Sequence, residues 1–255
     1  MSNKKEREKR REQRLQEETK VDAGERRTRL LQFGAGAVFL VIVAVVVLIV
    51  VNGNSESGGD AQNLKEVSAV DSLVQGIPQE GLALGDPKAK VKLIEYGDLQ
   101  CPVCKAYSEE FLPQIIENKV KEGKAKVIFR NFTIIGPQSA PAGAAALAAG
   151  AQGRGWEFLE LFYRNQGKEN SGYADDEFLT AVAKGAGVKD IAKWNEDRKG
   201  PKFTGEVEKT TEQAQSLGLT GTPSFAIEGP SSNGLELLGT PSTPEEVEQA
   251  IDKAS

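Results

Sequence analysis

The stretch that decides the fold is EYGDLQCPVC, residues 95–104, which contains the only two cysteines of the 255-residue chain. Residues 91–96 (VKLIEY) are mostly apolar or β-branched and predict a buried strand, and residues 104–118 predict a helix. Cys101 and Cys104 therefore lie where a strand and its loop pass into a helix. They are nearly one helical turn apart, so they can close a small disulfide ring.

The position of Cys101 favours a redox-active dithiol/disulfide pair. A cysteine at a helix N-terminus faces unpaired backbone N–H groups and the positive end of the helix dipole, and both stabilise a thiolate. The thiolate is the form that attacks a disulfide. Pro102 suits the first helical position because it has no N–H group to leave unpaired. Two alternatives stay open: an inert stapling disulfide, which so short a loop would make weak, and a four-thiolate metal site shared by two chains.

The composition excludes several classes of function. Histidine is absent, which rules out Ser-His-Asp and Cys-His nucleophile systems and removes the commonest metal ligand. We therefore expect no cofactor and no metal site within one chain. Residues 1–32 carry 11 of the 32 Lys/Arg and 7 of the 37 Asp/Glu residues, so the remainder has 21 basic and 30 acidic residues. Its net negative charge argues against a nucleic-acid partner.

An uncharged apolar run, FGAGAVFLVIVAVVVLIVV, occupies the 19 residues 33–51. At a rise of about 1.5 Å per residue it spans roughly 28 Å, enough for a hydrocarbon core of about 30 Å. Three arginines lie within residues 26–29, and after the run no Lys or Arg occurs until Lys65. The positive-inside rule then predicts a single-pass cell-membrane anchor with a cytoplasmic N-terminus. A cleaved signal peptide is the alternative, and it would also export the domain.

The chain is thus predicted to have four parts: a charged cytoplasmic tail (1–32), a transmembrane helix (33–51), a flexible linker (52–80) and an α/β domain (81–255). Within the domain, strands are predicted at 91–96, 126–132, 224–227 and 235–238, and helices at 104–118, 139–151, 156–164, 175–184, 189–198, 204–217 and 243–253. A block of helices between two groups of strands is typical of an α/β domain with a helical insertion.

Residues 95–104, taken together with Gly221-Thr222-Pro223, resemble the DsbA family of thiol:disulfide oxidoreductases. Gly85-Asp86-Pro87, and Phe129-Arg130-Asn131-Phe132 before an alanine-rich helix, are similar to the same family. The resemblance covers about residues 80–253. It implies a thioredoxin-like fold with an inserted helical domain at about residues 138–204, here preceded by the transmembrane helix.

The resemblance also implies roles for individual residues. Cys101 would be the exposed nucleophile and Cys104 the buried resolving thiol. Pro223 matches the family's cis-proline, which would aim the backbone of Thr222 at an extended substrate that adds as a strand. Glu95 matches a buried carboxylate that shuttles the proton of Cys104, and burial should raise its pKa. A strand-edge glutamate in contact with water is the alternative for Glu95.

The expected function is to introduce disulfides into reduced exported proteins, with a membrane oxidase of the DsbB or quinone-reductase type restoring the disulfide. The best-known members of the family have a histidine where this chain has Val103, so a less stable thiolate and a less oxidising couple are expected here. Two other functions stay open. One is an exported reductant or isomerase that uses the same pair, and the other is a membrane-tethered module that holds extended chains near Pro223 without turnover.

Overall fold

The structure is a computed structural model that describes residues 64–255 of the chain. The predicted tail, the apolar run and the first part of the predicted linker lie outside the described residues. Within residues 64–255, no helix is both long enough and apolar enough to cross a membrane.

A six-stranded mixed sheet with the strand order β1-β2-β4-β3-β5-β6 lies at the centre. The strands are β1 (Gln79–Glu80), β2 (Ala83–Leu84), β3 (Val91–Gly97), β4 (Ala125–Asn131), β5 (Ser224–Glu228) and β6 (Glu236–Gly239). Strands β3 and β4 are parallel, and the other neighbouring pairs are antiparallel. Because β3 lies between β4 and β5, nearly all of it is buried, as its apolar sequence predicts. Its carboxyl end leads directly to Cys101.

The redox helix α2 follows β3 and comprises residues 102–120. It alternates between α-helical segments (Pro102–Ala106 and Leu112–Ile115) and wider π-helical segments (Tyr107–Phe111 and Ile116–Val120). Pro113 lies in this helix and has no N–H to donate, and the wider turn just before it lets the helix continue.

Five helices lie between β4 and β5 along the chain. They are α3 (Ser139–Gly150), α4 (Gly155–Arg164), α5 (Asp176–Gly185), α6 (Ile191–Asp197) and α7 (Pro201–Ser216), and they confirm the predicted helical block to within three residues. Nine of the ten residues of α4 are buried. Helix α4 therefore carries polar side chains, among them Glu160, into the protein interior.

The folded region begins earlier than the predicted boundary at residue 81. Helix α1 (Val67–Val74) and strand β1 lie within what the sequence predicted to be a flexible linker. Val70 and Val74, one helical turn apart, are 0% and 3% exposed. The sequence predicts a short helix at residues 64–75 within the linker, and helix α1 confirms it. The two valines form an apolar stripe that packs into the common core.

The C-terminal helix α8 (Pro244–Ala254) begins as its sequence predicts. The Thr243 hydroxyl accepts a hydrogen bond from the backbone N–H of Glu246 at 3.3 Å. Thr243-x-x-Glu246 has the spacing of a capping box, in which the Glu246 carboxylate would accept a hydrogen bond from the N–H of Thr243. In the structure it accepts one from the N–H of Ser242, one residue earlier, at 2.8 Å.

Candidate active site

The backbone places Cys101 at the N-cap of helix α2. Its φ and ψ of −74° and 121° are extended, and its Sγ accepts a hydrogen bond from the N–H of Cys104 at 3.5 Å. Pro102 occupies the first helical turn, as predicted. The sulfur of Cys101 therefore faces N–H groups that the helix itself leaves unpaired.

These contacts favour the thiolate of Cys101. Its pKa is lowered to about 7, chiefly by a hydrogen bond with the Cys104 side chain. Burial opposes this change, whereas hydrogen bonds from the backbone of Cys104 and Val103 add to it.

The structure corrects the prediction that Cys101 is exposed. Cys101 is 4% exposed and Cys104 is 0% exposed. Cys101 is covered because its Sγ–H packs against the backbone of Thr222 and donates to that carbonyl at 3.3 Å. A substrate would therefore have to approach Sγ of Cys101 beside the Thr222 carbonyl.

The two thiols have opposite electrostatic environments. Burial raises the pKa of Cys104 well above its usual value, and the hydrogen bond to Cys101 and the charges of Cys101 and Glu95 raise it further. Both cysteines are free thiols, so the structure represents the reduced form. The sulfur of Cys101 is suited to attack or leave as a thiolate, whereas the sulfur of Cys104 is held as a thiol.

The loop before β5 lies against the cysteine pair. Its Thr222–Pro223 peptide bond is cis. The Thr222 carbonyl contacts Cys101, while Thr222 Oγ1 is buried without a hydrogen-bond partner in the described structure. The hydroxyl of Thr240 donates to the Pro223 carbonyl at 2.8 Å, and that of Ser224 donates to the Gly221 carbonyl at 2.7 Å. These bonds fix the loop beside the sulfur of Cys101.

Glu95 lies on the same strand that leads to the cysteines and is 5% exposed. Its pKa is raised to about 8, first by burial and then by the negative charges of Glu160 and Cys101. This burial excludes the alternative of a strand-edge glutamate in water. A carboxyl group that keeps its proton to about pH 8 can give that proton to a neighbouring thiolate near neutral pH.

Sequence reasoning missed two residues that hold the active-site loop. Asp98 is 0% exposed, and its carboxylate accepts hydrogen bonds from the N–H groups of Gln100, Ile134 and Ile135 at 2.8–2.9 Å. Gln166, which follows α4, donates to the carbonyls of Leu99 at 2.7 Å and Cys101 at 3.2 Å. Asp98 could have been noticed beside the cysteines, but no local signal marks Gln166.

Within residues 64–255, no group of three or more His, Cys, Asp or Glu side chains is arranged to hold a metal ion. The site contains a dithiol, a buried carboxyl group whose pKa is raised, and a fixed loop, which together are suited to thiol–disulfide exchange.

Comparisons with known proteins agree with this chemistry. A family of proteins described as Thioredoxin matches residues 78–253. The chain is 30% identical over 154 residues to the probable disulfide bond formation protein D of Bacillus cereus, a match that covers 59% of this chain and 71% of that protein. It is 26% identical over 178 residues to disulfide bond formation protein D of Bacillus subtilis, covering 69% of this chain and 76% of that one.

Solved structures share the fold. Oxidised BdbD from Bacillus subtilis superposes with a TM-score of 0.61 at 22% identity, covering 68% of this chain and 92% of that chain. The alpha-DsbA1 protein of Wolbachia pipientis superposes with a TM-score of 0.58 at 22% identity, covering 72% of this chain and 95% of that chain.

The fold, the paired thiols at a helix N-terminus and the similar proteins define the class: a thioredoxin-like thiol–disulfide oxidoreductase. Within that class, the chain belongs to the family described as Thioredoxin and is a relative of the disulfide bond formation D proteins.

Proposed function

We propose that the protein is a membrane-anchored, extracytoplasmic oxidoreductase that introduces disulfides into exported proteins through a Cys101/Cys104 cycle. The observation that carries this proposal is the difference between the two thiols. Cys101 has a pKa of about 7, whereas the pKa of Cys104 lies well above its usual value. This difference suits Cys101 to exchange with substrates and Cys104 to resolve the exchange.

In the oxidised protein, a substrate thiolate attacks Sγ of Cys101. The Cys101–Cys104 bond breaks, and the sulfur of Cys104 leaves with the bonding electron pair. Because this sulfur binds a proton tightly, it takes the proton of Glu95, which then becomes a carboxylate. The product of this step is a mixed disulfide between Cys101 and the substrate.

In the second step, another substrate thiolate attacks the substrate sulfur of the mixed disulfide. Cys101 leaves as a thiolate, and the low pKa of this thiol makes it a good leaving group. The balance is two substrate thiols oxidised to one disulfide, and one protein disulfide reduced to two thiols.

The loop of Thr222 and Pro223 is proposed to position the substrate. Its backbone lies 3.3 Å from the sulfur of Cys101, measured at the Thr222 carbonyl. An extended substrate that pairs with this backbone as an added strand would bring its own cysteine to Cys101. The same loop would hold the substrate segment in place during the exchange.

The cellular setting is proposed from the sequence. The apolar run at residues 33–51 and the positive charge before it support an anchor with the catalytic domain outside the cytoplasm. The anchor would keep the domain beside a membrane oxidase of the DsbB or quinone-reductase type, which would accept the electrons. Relatives named for disulfide bond formation support this direction of flow.

One observation favours a second candidate, an exported reductant or isomerase that uses the same pair. Neither residue between the cysteines, Pro102 or Val103, carries a charge that could stabilise the Cys101 thiolate. A less stable thiolate makes the couple less oxidising, and about 30 mV corresponds to 1.4 kcal/mol for two electrons.

The proposal is tested with the full-length chain and a reduced test protein. The wild type should form disulfides in the test protein, and Cys101→Ser should abolish this activity, with Ser72→Ala as a surface control. If the Cys101→Ser variant oxidised the test protein as well as the wild type, catalysis by the cysteine pair would be excluded. The membrane-tethered binding module would then be the better assignment. Equilibration of the Cys101/Cys104 pair with a glutathione series then gives the reduction potential of the pair. This potential distinguishes an oxidant from a reductant.

A further inference from the structure

The helical insertion holds the backbone that carries Cys101. The end of α4 and the loop after it, residues 163–170, donate a hydrogen bond to each of the four residues 98–101. The four bonds run from the Tyr163 hydroxyl to the Asp98 carbonyl (3.4 Å), from the Gln166 amide to the carbonyls of Leu99 (2.7 Å) and Cys101 (3.2 Å), and from the Asn170 N–H to the Gln100 side chain (3.2 Å). The insertion therefore contacts the active-site loop along its whole length.

Gln166 makes the two bonds that lie on either side of Gln100. A side-chain amide nitrogen carries two hydrogens, and Nε2 of Gln166 donates to two carbonyls. It thereby ties together two peptide groups that are two residues apart in the chain. A neutral side chain of similar length without a donor, such as methionine, would fill the same space and make neither bond.

The bond to the Cys101 carbonyl acts on the conformation of the N-cap. This carbonyl also accepts the N–H of Lys105 at 3.1 Å, so it takes part in the first turn of α2. The ψ angle of Cys101, 121°, sets the direction of its carbonyl and, by the same rotation, the place of the following N–H groups relative to its side chain. Fixing the carbonyl therefore fixes the N–H of Cys104 opposite Sγ of Cys101, where the two atoms are 3.5 Å apart.

The segment that carries Gln166 is itself fixed on two sides. Asn170 has a φ of 57°, a left-handed conformation that asparagine tolerates, and its side chain donates to the Ile135 carbonyl at 3.1 Å. A Cβ atom at Gly136 would collide with the Asn170 side chain, so a glycine is needed there. On the side of the redox helix, Lys105 Nζ donates to the Tyr163 carbonyl at 2.9 Å. Gln166 is thus presented from a rigid support.

We propose that Gln166 is a positioning residue for the exchange reaction: its amide, bonded to the carbonyls of Leu99 and Cys101, holds the N-cap of α2 in the conformation in which helix N–H groups face the Cys101 sulfur. The helical insertion is then a working part of the active site. This inference rests on the proposed role of Cys101 as the exchanging thiol, and it holds for either direction of electron flow.

Loss of the two bonds should weaken the thiolate of Cys101. Hydrogen bonds from the backbone of Cys104 and Val103 help to lower the pKa of this thiol, and they depend on the geometry that Gln166 fixes. When the Cys101 carbonyl can rotate, these N–H groups face the sulfur for only part of the time, and the pKa of Cys101 should rise.

The substitution Gln166→Met removes the donors without changing any charge. The titratable and charged side chains that face the cysteine pair from the surrounding elements stay in place, and they are Glu95 on β3, Asp98 in the loop, Cys104 and Lys105 on α2, and Tyr163 on α4. A shift in the titration of Cys101 would therefore report the geometry of the N-cap.

The test uses the reduced full-length chain in detergent micelles. Thiolate absorbance followed against pH gives the titration midpoint of Cys101. In Gln166→Met this midpoint should rise by about one pH unit, a tenfold loss of preference for the thiolate. The rate of alkylation of Cys101 at pH 6 should fall severalfold, because the thiolate is the reactive form.

Two further variants separate positioning from a general loss of stability. Gln152→Met is the matched control, because the Gln152 amide also donates to a backbone carbonyl of the insertion, that of Asp190 at 2.9 Å. It should keep the wild-type midpoint. Gln166→Asn keeps the amide but shortens the side chain by one methylene group, so it should give a smaller shift in the same direction as Gln166→Met.

An unchanged midpoint in Gln166→Met, or an equal shift in Gln152→Met, would overturn the inference and show that Gln166 only stabilises the fold. Should Gln166→Met not fold, an unchanged midpoint in Gln166→Asn would overturn it in the same way. Neither result would touch the proposed function, which is decided by whether Cys101→Ser loses the oxidation of the test protein.

Discussion

The lowered pKa of Cys101 predicts that the stability of the reduced protein depends on pH. The folded-state pKa is about 7, against 9.0 for the free thiol. A depressed pKa contributes stability that is fully present above the unfolded value and is lost as pH falls through the folded value. The full contribution of two pKa units is about 3 kcal/mol.

The perturbation is Cys101→Ser, which removes the titrating thiol and keeps a side chain of similar size. From the two pKa values, the thiolate contributes little to the stability at pH 6 and about 2 kcal/mol at pH 9. The difference in unfolding free energy between the wild type and the variant should therefore grow by about 2 kcal/mol from pH 6 to pH 9.

The assay is urea denaturation of both proteins at each pH, with a reductant present to keep Cys104 as a thiol. Thiolate absorbance gives an independent measure of the Cys101 pKa, with a midpoint expected near 7. A difference that stays constant from pH 6 to pH 9 would refute the reasoning. The helix N-terminus would then not stabilise the thiolate, and the structure would no longer explain the chemistry of the pair.

Three further predictions concern neighbouring residues. Glu95→Gln should stabilise the protein, because a pKa raised to about 8 makes the wild type lose stability as pH rises from its unfolded value of 4.5. The gain should be about 3 kcal/mol at pH 7 and much smaller at pH 5, measured by urea denaturation, and equal gains at both values would contradict it. Asp98→Ala leaves three backbone N–H groups without their acceptor and should cost about 3 kcal/mol or more by the same assay. A loss below about 1 kcal/mol would show that other groups hold this loop. Cys104→Ser should accumulate the mixed disulfide at Cys101, visible as a larger species on non-reducing gels, and its absence would argue against Cys104 as the resolving thiol.

The parts of the fold that the sequence predicted are those with local signals. Strand β3, the helices of the insertion and the cap at Thr243 each depend on residues within one element or its immediate flanks. Strands β1 and β2 have two residues each and are too short to show a periodic pattern. The position of Cys101 at a helix N-terminus was predictable for the same local reason.

The rest of the site depends on contacts between distant segments of the chain. Cys101 is buried because a loop 121 residues later packs against its sulfur. Gln166 holds the active-site backbone from 65 residues away, and Glu160 meets Ser108 across 52 residues. No periodicity or motif encodes such pairings, because they result from how the helical insertion docks on the sheet.

The central claim is that Cys101 and Cys104 deliver a disulfide to exported proteins, and the redox state of the pair in living cells tests it most directly. Cells that express the full-length chain are quenched with acid, and free thiols are then alkylated with a reagent that changes mobility on a gel. We expect the pair to be mostly a disulfide, because a donor must be kept oxidised by its membrane partner. A pair found mostly as the dithiol would contradict this account and identify the protein as a reductant or isomerase.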